Sequence, residues 1–129
     1  MTLGGTDFKL RCSTNNDPYA SFEITATVAY TAGQMVLYED TVCVVVNAAA
    51  IGDQAVLVYW AAKIIVPCQV VTTANLANMN EGCKIYFDAT DANVNVDTNN
   101  TLCGIVVEAP SIGDETVLIH LMGALGIVA

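Results

Sequence analysis

From Ser21 onward the chain alternates. Phe22, Ile24, Ala26 and Val28 interleave with Glu23, Thr25 and Thr27, the period of two that marks a half-buried strand. After Thr31-Ala32-Gly33-Gln34, a turn, short apolar runs follow at Met35–Tyr38, Val42–Val46, Ala55–Trp60 and Lys63–Val66. Glu39-Asp40, Ile51-Gly52-Asp53 and Pro67 punctuate them, residues that favour turns. Thr72–Asn80 has the weakest strand pattern and predicts one short helical turn, with Asn75 as N-cap and Leu76 and Met79 facing inward. Lys84–Asp88 and Val94–Asp97 predict a hairpin around Ala89–Asn93, with Val94 and Val96 in the core. Leu102–Val107 and Thr116–Met122 close the series. No segment supports a long helix. Many short, closely spaced strands predict an all-β domain, a small barrel or sandwich. The last strand, Val117-Leu118-Ile119-His120-Leu121, is apolar on both faces, so its outer face needs a cover.

The pattern is written twice. "IGDQAVL" at 51–57 returns as "IGDETVL" at 112–118, and Thr41-Val42-Cys43 returns as Thr101-Leu102-Cys103, in register apart from one extra residue, Gly104. Gly33-Gln34-Met35-Val36-Leu37-Tyr38 has a looser counterpart in Gly82-Cys83-Lys84-Ile85-Tyr86-Phe87, and Asp88–Asn99 reads as an insertion in the second copy. Two copies are too few for a solenoid. They predict two related β-turn-β units inside one compact domain, residues 21–129.

Residues 1–20, "MTLGGTDFKLRCSTNNDPYA", have no such period. Their Gly, Asn, Ser and Pro predict a flexible arm, yet Leu3, Phe8, Leu10 and Tyr19 are many apolar anchors for an inert tail. Lys9 and Arg11 are two of only four basic residues, set against thirteen acidic ones, for a net charge of −9. These six residues are therefore the candidate contacts, a local positive segment able to pair with acidic groups on a neighbouring subunit.

Composition narrows the rest. At 129 residues, 54% hydrophobic and 13% charged, the chain has about half the usual charged fraction. Burial between like subunits is the expected use of the excess apolar surface. The negative charge opposes nucleic acid and anionic membranes. The longest apolar stretch, 116–129, is too short to span a bilayer, and the N-terminus lacks the pattern of a secretory signal.

Chemistry-bearing residues are sparse. The five cysteines are odd in number and widely spaced, which predicts reduced, buried thiols in a protein made in a cytoplasm. Asp88, Asp91, Asn93, Asn95 and Asp97 alternate oxygen side chains, but a calcium loop would need Gly where Val96 stands and Glu where Leu102 stands. His120 is the sole histidine, and Asp53 and Asp114 follow glycine as turn formers. No nucleophile, phosphate-loop or dinucleotide motif is present. The expectation is no catalytic residue, no metal and no cofactor.

Taken together, "TAGQMVLYEDTVCVVVNAAAIGDQAVLV", "AKIIVPC", "NEGCKIYFD" and "NTLCGIVVEAPSIGDETVLIHLMG", spanning about residues 29–123, resemble the decoration, or cement, proteins on the heads of tailed bacteriophages. Members look like G-x-x-V, then G-V-A, A-x-x-G-D/E and an alternating strand, then a strand ending near proline, G-D-x-V-Y-x-D and a closing G-x-A-x-x-A-x-x-G-D strand. Val44 departs from the glycine of the first copy, Gly104 keeps it in the second, and Cys83 stands where an acidic residue is common. The resemblance implies a homotrimer on the outer surface of the capsid that clamps the major capsid protein and is not an enzyme. Other readings are a different virion structural protein (tail, spike or head-completion) and a small β binding module. A binding module would show clustered aromatics with convergent polar groups, whereas the one tryptophan, Trp60, lies in a strand-like run.

Overall fold

In the computed structural model, which describes residues 19–123, eight strands and one helical turn follow in order. They are β1 (Tyr19–Thr25), β2 (Met35–Tyr38), β3 (Thr41–Val45), β4 (Gln54–Pro67), α1 (Thr73–Leu76), β5 (Lys84–Asp88), β6 (Asn93–Asn95), β7 (Thr101–Glu108) and β8 (Thr116–Met122). The all-β expectation holds. Among the described residues no helix is long and apolar enough to cross a membrane.

Several boundaries differ from the sequence reading. β3 and β7 differ by one residue at each end, and β6 is Asn93–Asn95 rather than Val94–Asp97. β1 begins at Tyr19 and ends at Thr25, so Ala26 is buried beyond the strand and Val28 is exposed. The runs Ala55–Trp60 and Lys63–Val66 are one strand of 14 residues. Ala61, Ala62 and Lys63 do not break it, because a bulge between Ala61 and Ile64 absorbs the irregularity.

That long strand explains the repeat. Leu57 and Val58 pair with β1 on one edge and β3 on the other, while Trp60 and Ala61 pair with β1 and β8. β3 and β8 therefore lie end to end along one edge of β4. Gly123 sits at the junction, donating to the Tyr59 carbonyl (2.8 Å) and accepting from Val42 N (3.3 Å). Four strands in the order β1-β4-β3-β2 form the first unit, and β4-β8-β7-β5 form the second with the same antiparallel connections. The last strand of one unit runs on as the first strand of the next.

The second unit closes. β6 pairs with β5, and Val94 bridges Cys68 just past the end of β4, with Gln69 N donating to the Val94 carbonyl (2.9 Å). The ring β4-β8-β7-β5-β6 encloses the larger core, with Val66, Ile85, Phe87, Val94, Val106, Ile119 and Leu121 all buried. The extra residue at Gly104 is taken up as a bulge opposite Ile85 and Tyr86. A Cβ on Gly104 would collide with the His120 carbonyl of the neighbouring strand, so only glycine lets β7 approach β8 this closely.

The first unit has no counterpart of β6. Its smaller core, Ala26, Cys43, Val45, Ala49, Ala55 and Leu57, is roofed by aromatic rings from both ends of the sheet. Phe22 stacks on Tyr59 with ring centroids 4.4 Å apart and meets Tyr38 at 5.4 Å.

α1 starts one turn earlier than the sequence pattern places it. Thr72 is the N-cap and Asn75 is the third helical residue. The two form a reciprocal box, with Asn75 N donating to the Thr72 hydroxyl (3.2 Å) and Thr72 N to Asn75 Oδ1 (2.7 Å). Met79 is buried and Leu76 packs on the larger core, as the pattern predicts.

Candidate functional site

Of the six candidate contact residues, Leu3, Phe8, Lys9, Leu10 and Arg11 lie outside the described residues. Tyr19 opens β1 opposite Ala61, half-buried against the larger core.

The alternating oxygens of the β5–β6 region bond to one another and to their own backbone. Asp88 Oδ1 accepts from Thr90 N (2.9 Å) and Asp91 N (3.3 Å), and Asp88 Oδ2 accepts from Asn95 Nδ2 (3.4 Å). Asn95 Oδ1 accepts from Asp97 N (3.1 Å) and Asn100 Nδ2 (3.1 Å). Asp88, Asn95 and Asp97, whose Oδ1 accepts from Asn99 N (2.9 Å), thus shape turns, whereas Asn93 Oδ1 is buried without a partner. Among the described residues no group of three or more His, Cys, Asp or Glu side chains converges on one point.

Thiol chemistry is muted. Cys43, Cys68 and Cys103 are free and buried, and Cys83 is free and half-buried. Burial pushes Cys43 and Cys103 from an ordinary 9.0 up to about 12. Burial and the nearby Asp114 and Glu115 carboxylates raise Cys68 to about 11. A thiol that stays protonated at neutral pH is a poor nucleophile. The hollow beside Cys83 is lined by Asn78, Lys84, Tyr86, Val96 and Thr98, with no acid–base pair.

What the surface does offer is apolar. On β8, Val117, Ile119 and Leu121 point into the barrel, so Leu118, His120 and Met122 point out. Opposite them lie Ile65, Ile105 and Trp60. Ile65 is 66% exposed. Trp60 meets His120 edge-on at 5.2 Å, and His120 Nε2 is buried without a partner. This is the outer apolar face the sequence predicts.

The glycine-aspartate turns are superimposable in their bonding. Asp53 N donates to the Ala50 carbonyl and Asp114 N to the Ser111 carbonyl, each at 3.0 Å. Asp53 Oδ2 accepts from Ala50 N (3.3 Å) and Asp114 Oδ2 from Ser111 N (2.9 Å). Gly52 and Gly113 have φ of 94° and 93°, the left-handed conformation that a type II turn requires at this position.

Two related β-units, one of them closed into a barrel, with no reactive cluster among the described residues and an apolar outer face, have the character of an assembly component. Residues 16–121 match the family model described as phage cement protein. The chain belongs to the phage cement protein family. The match runs from the segment before β1 almost to the end of β8, and begins upstream of the stretch that carries the sequence resemblance. No curated protein and no solved structure matches the chain. As a cement protein it has a structural role in the virion, decorating the capsid of a phage head.

Proposed function

We propose that this cement protein sits on the outer capsid surface as a homotrimer, clamps neighbouring copies of the major capsid protein, and stabilises the head without catalysis. The observation that carries the reading is the family match across the whole β-domain. Self-association is supported by the outward face of β4, β8 and β7, where Ile65, Leu118, Met122 and Trp60 form an apolar surface on a chain short of polar residues. Closed symmetry is the usual way to cover such a face. The excess of acidic over basic residues argues against contact with nucleic acid or an anionic membrane, and the cysteine pattern favours synthesis in the host cytoplasm.

Residues 1–18 are proposed as an arm that reaches a neighbouring subunit, with Leu3, Phe8 and Leu10 as anchors and Lys9 and Arg11 as the charged contacts, while Tyr19 and Ala20, read with the arm in the sequence, belong to β1. Co-sedimentation with expanded, undecorated capsids tests the function. The protein is expected to pellet with capsids at saturable stoichiometry and to raise their rupture temperature. A protein that stays in the supernatant at every concentration contradicts it. Deleting residues 1–18, which leaves β1 intact, is expected to weaken binding while the cooperative melt of the β-domain persists. Undiminished decoration by the truncated protein would show that the arm is only a tail.

A further inference from the structure

The repeat duplicates more than a fold. Each glycine-aspartate turn carries an isoleucine at its second position, and both are among the most exposed large side chains described: Ile51 at 71% and Ile112 at 60%. The turn itself explains its glycine, through the positive φ, and its aspartate, through the bond back to Ala50 or Ser111. Nothing in the turn requires isoleucine, because the second position of a type II turn accepts most residues and favours proline.

The backbone holds both tips the same way. Gly52 N donates to the Ala26 carbonyl (2.8 Å) and Ala26 N to the Asp53 carbonyl (2.8 Å). Gly113 N donates to the Val71 carbonyl (2.8 Å) and Val71 N to the Asp114 carbonyl (3.0 Å). The first tip precedes β4 directly. The second leads into β8, whose start pairs with the end of β4 at Pro67. The tips thus stand at opposite ends of a 14-residue strand, up to about 45 Å apart at the rise of an extended chain.

Their charged surroundings also agree. Asp53 stands beside the first tip, with Glu23 held near by Gln54 Nε2 (3.2 Å). Asp114 and Glu115 stand beside the second. The described lysines, Lys63 and Lys84, lie within β4 and at the start of β5 rather than in either turn. Each tip is an apolar knob with an acidic collar.

We infer that Ile51 and Ile112 are twin docking knobs, each seating in an apolar hollow with a basic rim on a different capsid subunit. This inference rests on the capsid-decoration reading and adds how the clamp is made. Like knobs at opposite ends let one molecule hold two like partners, so the bridge is built into a single chain. Acidic collars select basic rims and steer approach.

Wild type, I51D, I112D, the double variant and T90D are titrated onto expanded, undecorated capsids. T90D adds the same charge on the exposed β5–β6 loop and serves as the control. Each single knob variant is expected to lose about tenfold or more in affinity, the order set by denying burial to one isoleucine. Even when saturating, either should fail to raise the rupture temperature, and the double variant should not bind. T90D should match wild type, and all variants should melt as wild type does. The inference is overturned if either knob variant decorates and stabilises like wild type. A loss with T90D as large as with the knob variants overturns it too, since charge alone would then be responsible. So does a knob variant that changes the oligomeric state of the free protein, which would make the tips self-association contacts. Failure of wild type to bind any capsid would instead remove the decoration reading itself.

Discussion

The two units share one order of strands and differ in closure. In the second, β6 bridges from β5 to Cys68 and shuts the ring around a large core. In the first, β1 and β2 are not paired, and the rings of Phe22 and Tyr38 meet above a small core. The difference traces to the insertion after Asp88. A largely polar insertion, read as the second strand of a hairpin, supplies the strand that completes a barrel, because Val94 is buried between flanking asparagines. Closing a sheet removes its edges. Leaving the other open keeps edge backbone available on a protein that works by contact.

The sharpest way to break this contrast is at the point of closure. Val94→Asp places an unpaired charge inside the barrel and is expected to cost about 4 kcal/mol or more. Circular dichroism should show loss of the cooperative melt. A folded V94D would mean that β6 does not seal the core.

Truncating each core sharpens it further. Ile119→Ala and Leu57→Ala both remove fully buried side chains, each expected to cost about 2–5 kcal/mol in urea unfolding. The closed ring cannot collapse into the cavity, whereas the open unit can relax, so I119A should fall in the upper half of that range and L57A in the lower. Equal costs would count against a difference in rigidity.

The twin turns allow a finer comparison. Asp114→Ala and Asp53→Ala each remove one carboxylate bond to backbone, worth about 1 kcal/mol. D114A should cost more, since its bond is 2.9 Å against 3.3 Å. The reverse order would mean that these lengths do not report strength.

The smallest effect appears only at high pH. Burial raises Cys43, Cys68 and Cys103 above the 9.0 of a free thiol. The unfolded chain therefore loses these protons first, and the stabilising contribution is full below pH 9 and lost as pH rises toward 12. A variant with alanine at all three positions should show a shallower decline of melting temperature over that window. At pH 8, Cys83 should be alkylated before the three buried thiols. An unchanged alkaline slope or prior labelling of Cys103 would contradict the burial account.

Much of this fold was legible because turns constrain identity while strands constrain only pattern. Gly52 and Gly113 must adopt positive φ, so "IGD" persists in both copies and announces the duplication. β8 was read to its boundaries for a related reason, since Thr116 and Met122 are flanked by turns. The full extent of the repeat was not legible. β1 and the end of β4 play the same part in their units, yet Phe22-Glu23-Ile24 and Ile64-Ile65-Val66 share only a hydrophobic rhythm. The continuity of β4 was hidden because Ala61-Ala62-Lys63 gives no strand signal, and pairing with β1 and β8 supplies what propensity does not. At the candidate site the signal was present but incomplete. The repeated isoleucines stood in the first matching heptad, and only their exposure separates a docking knob from a turn residue.

Electron cryo-microscopy of the purified virion tests the central claim most directly. The account predicts repeated density on the outside of the head into which the β4-β8-β7-β5-β6 barrel fits, each copy contacting more than one major capsid subunit. A head with a bare outer surface, or this barrel found only in the tail, would contradict it.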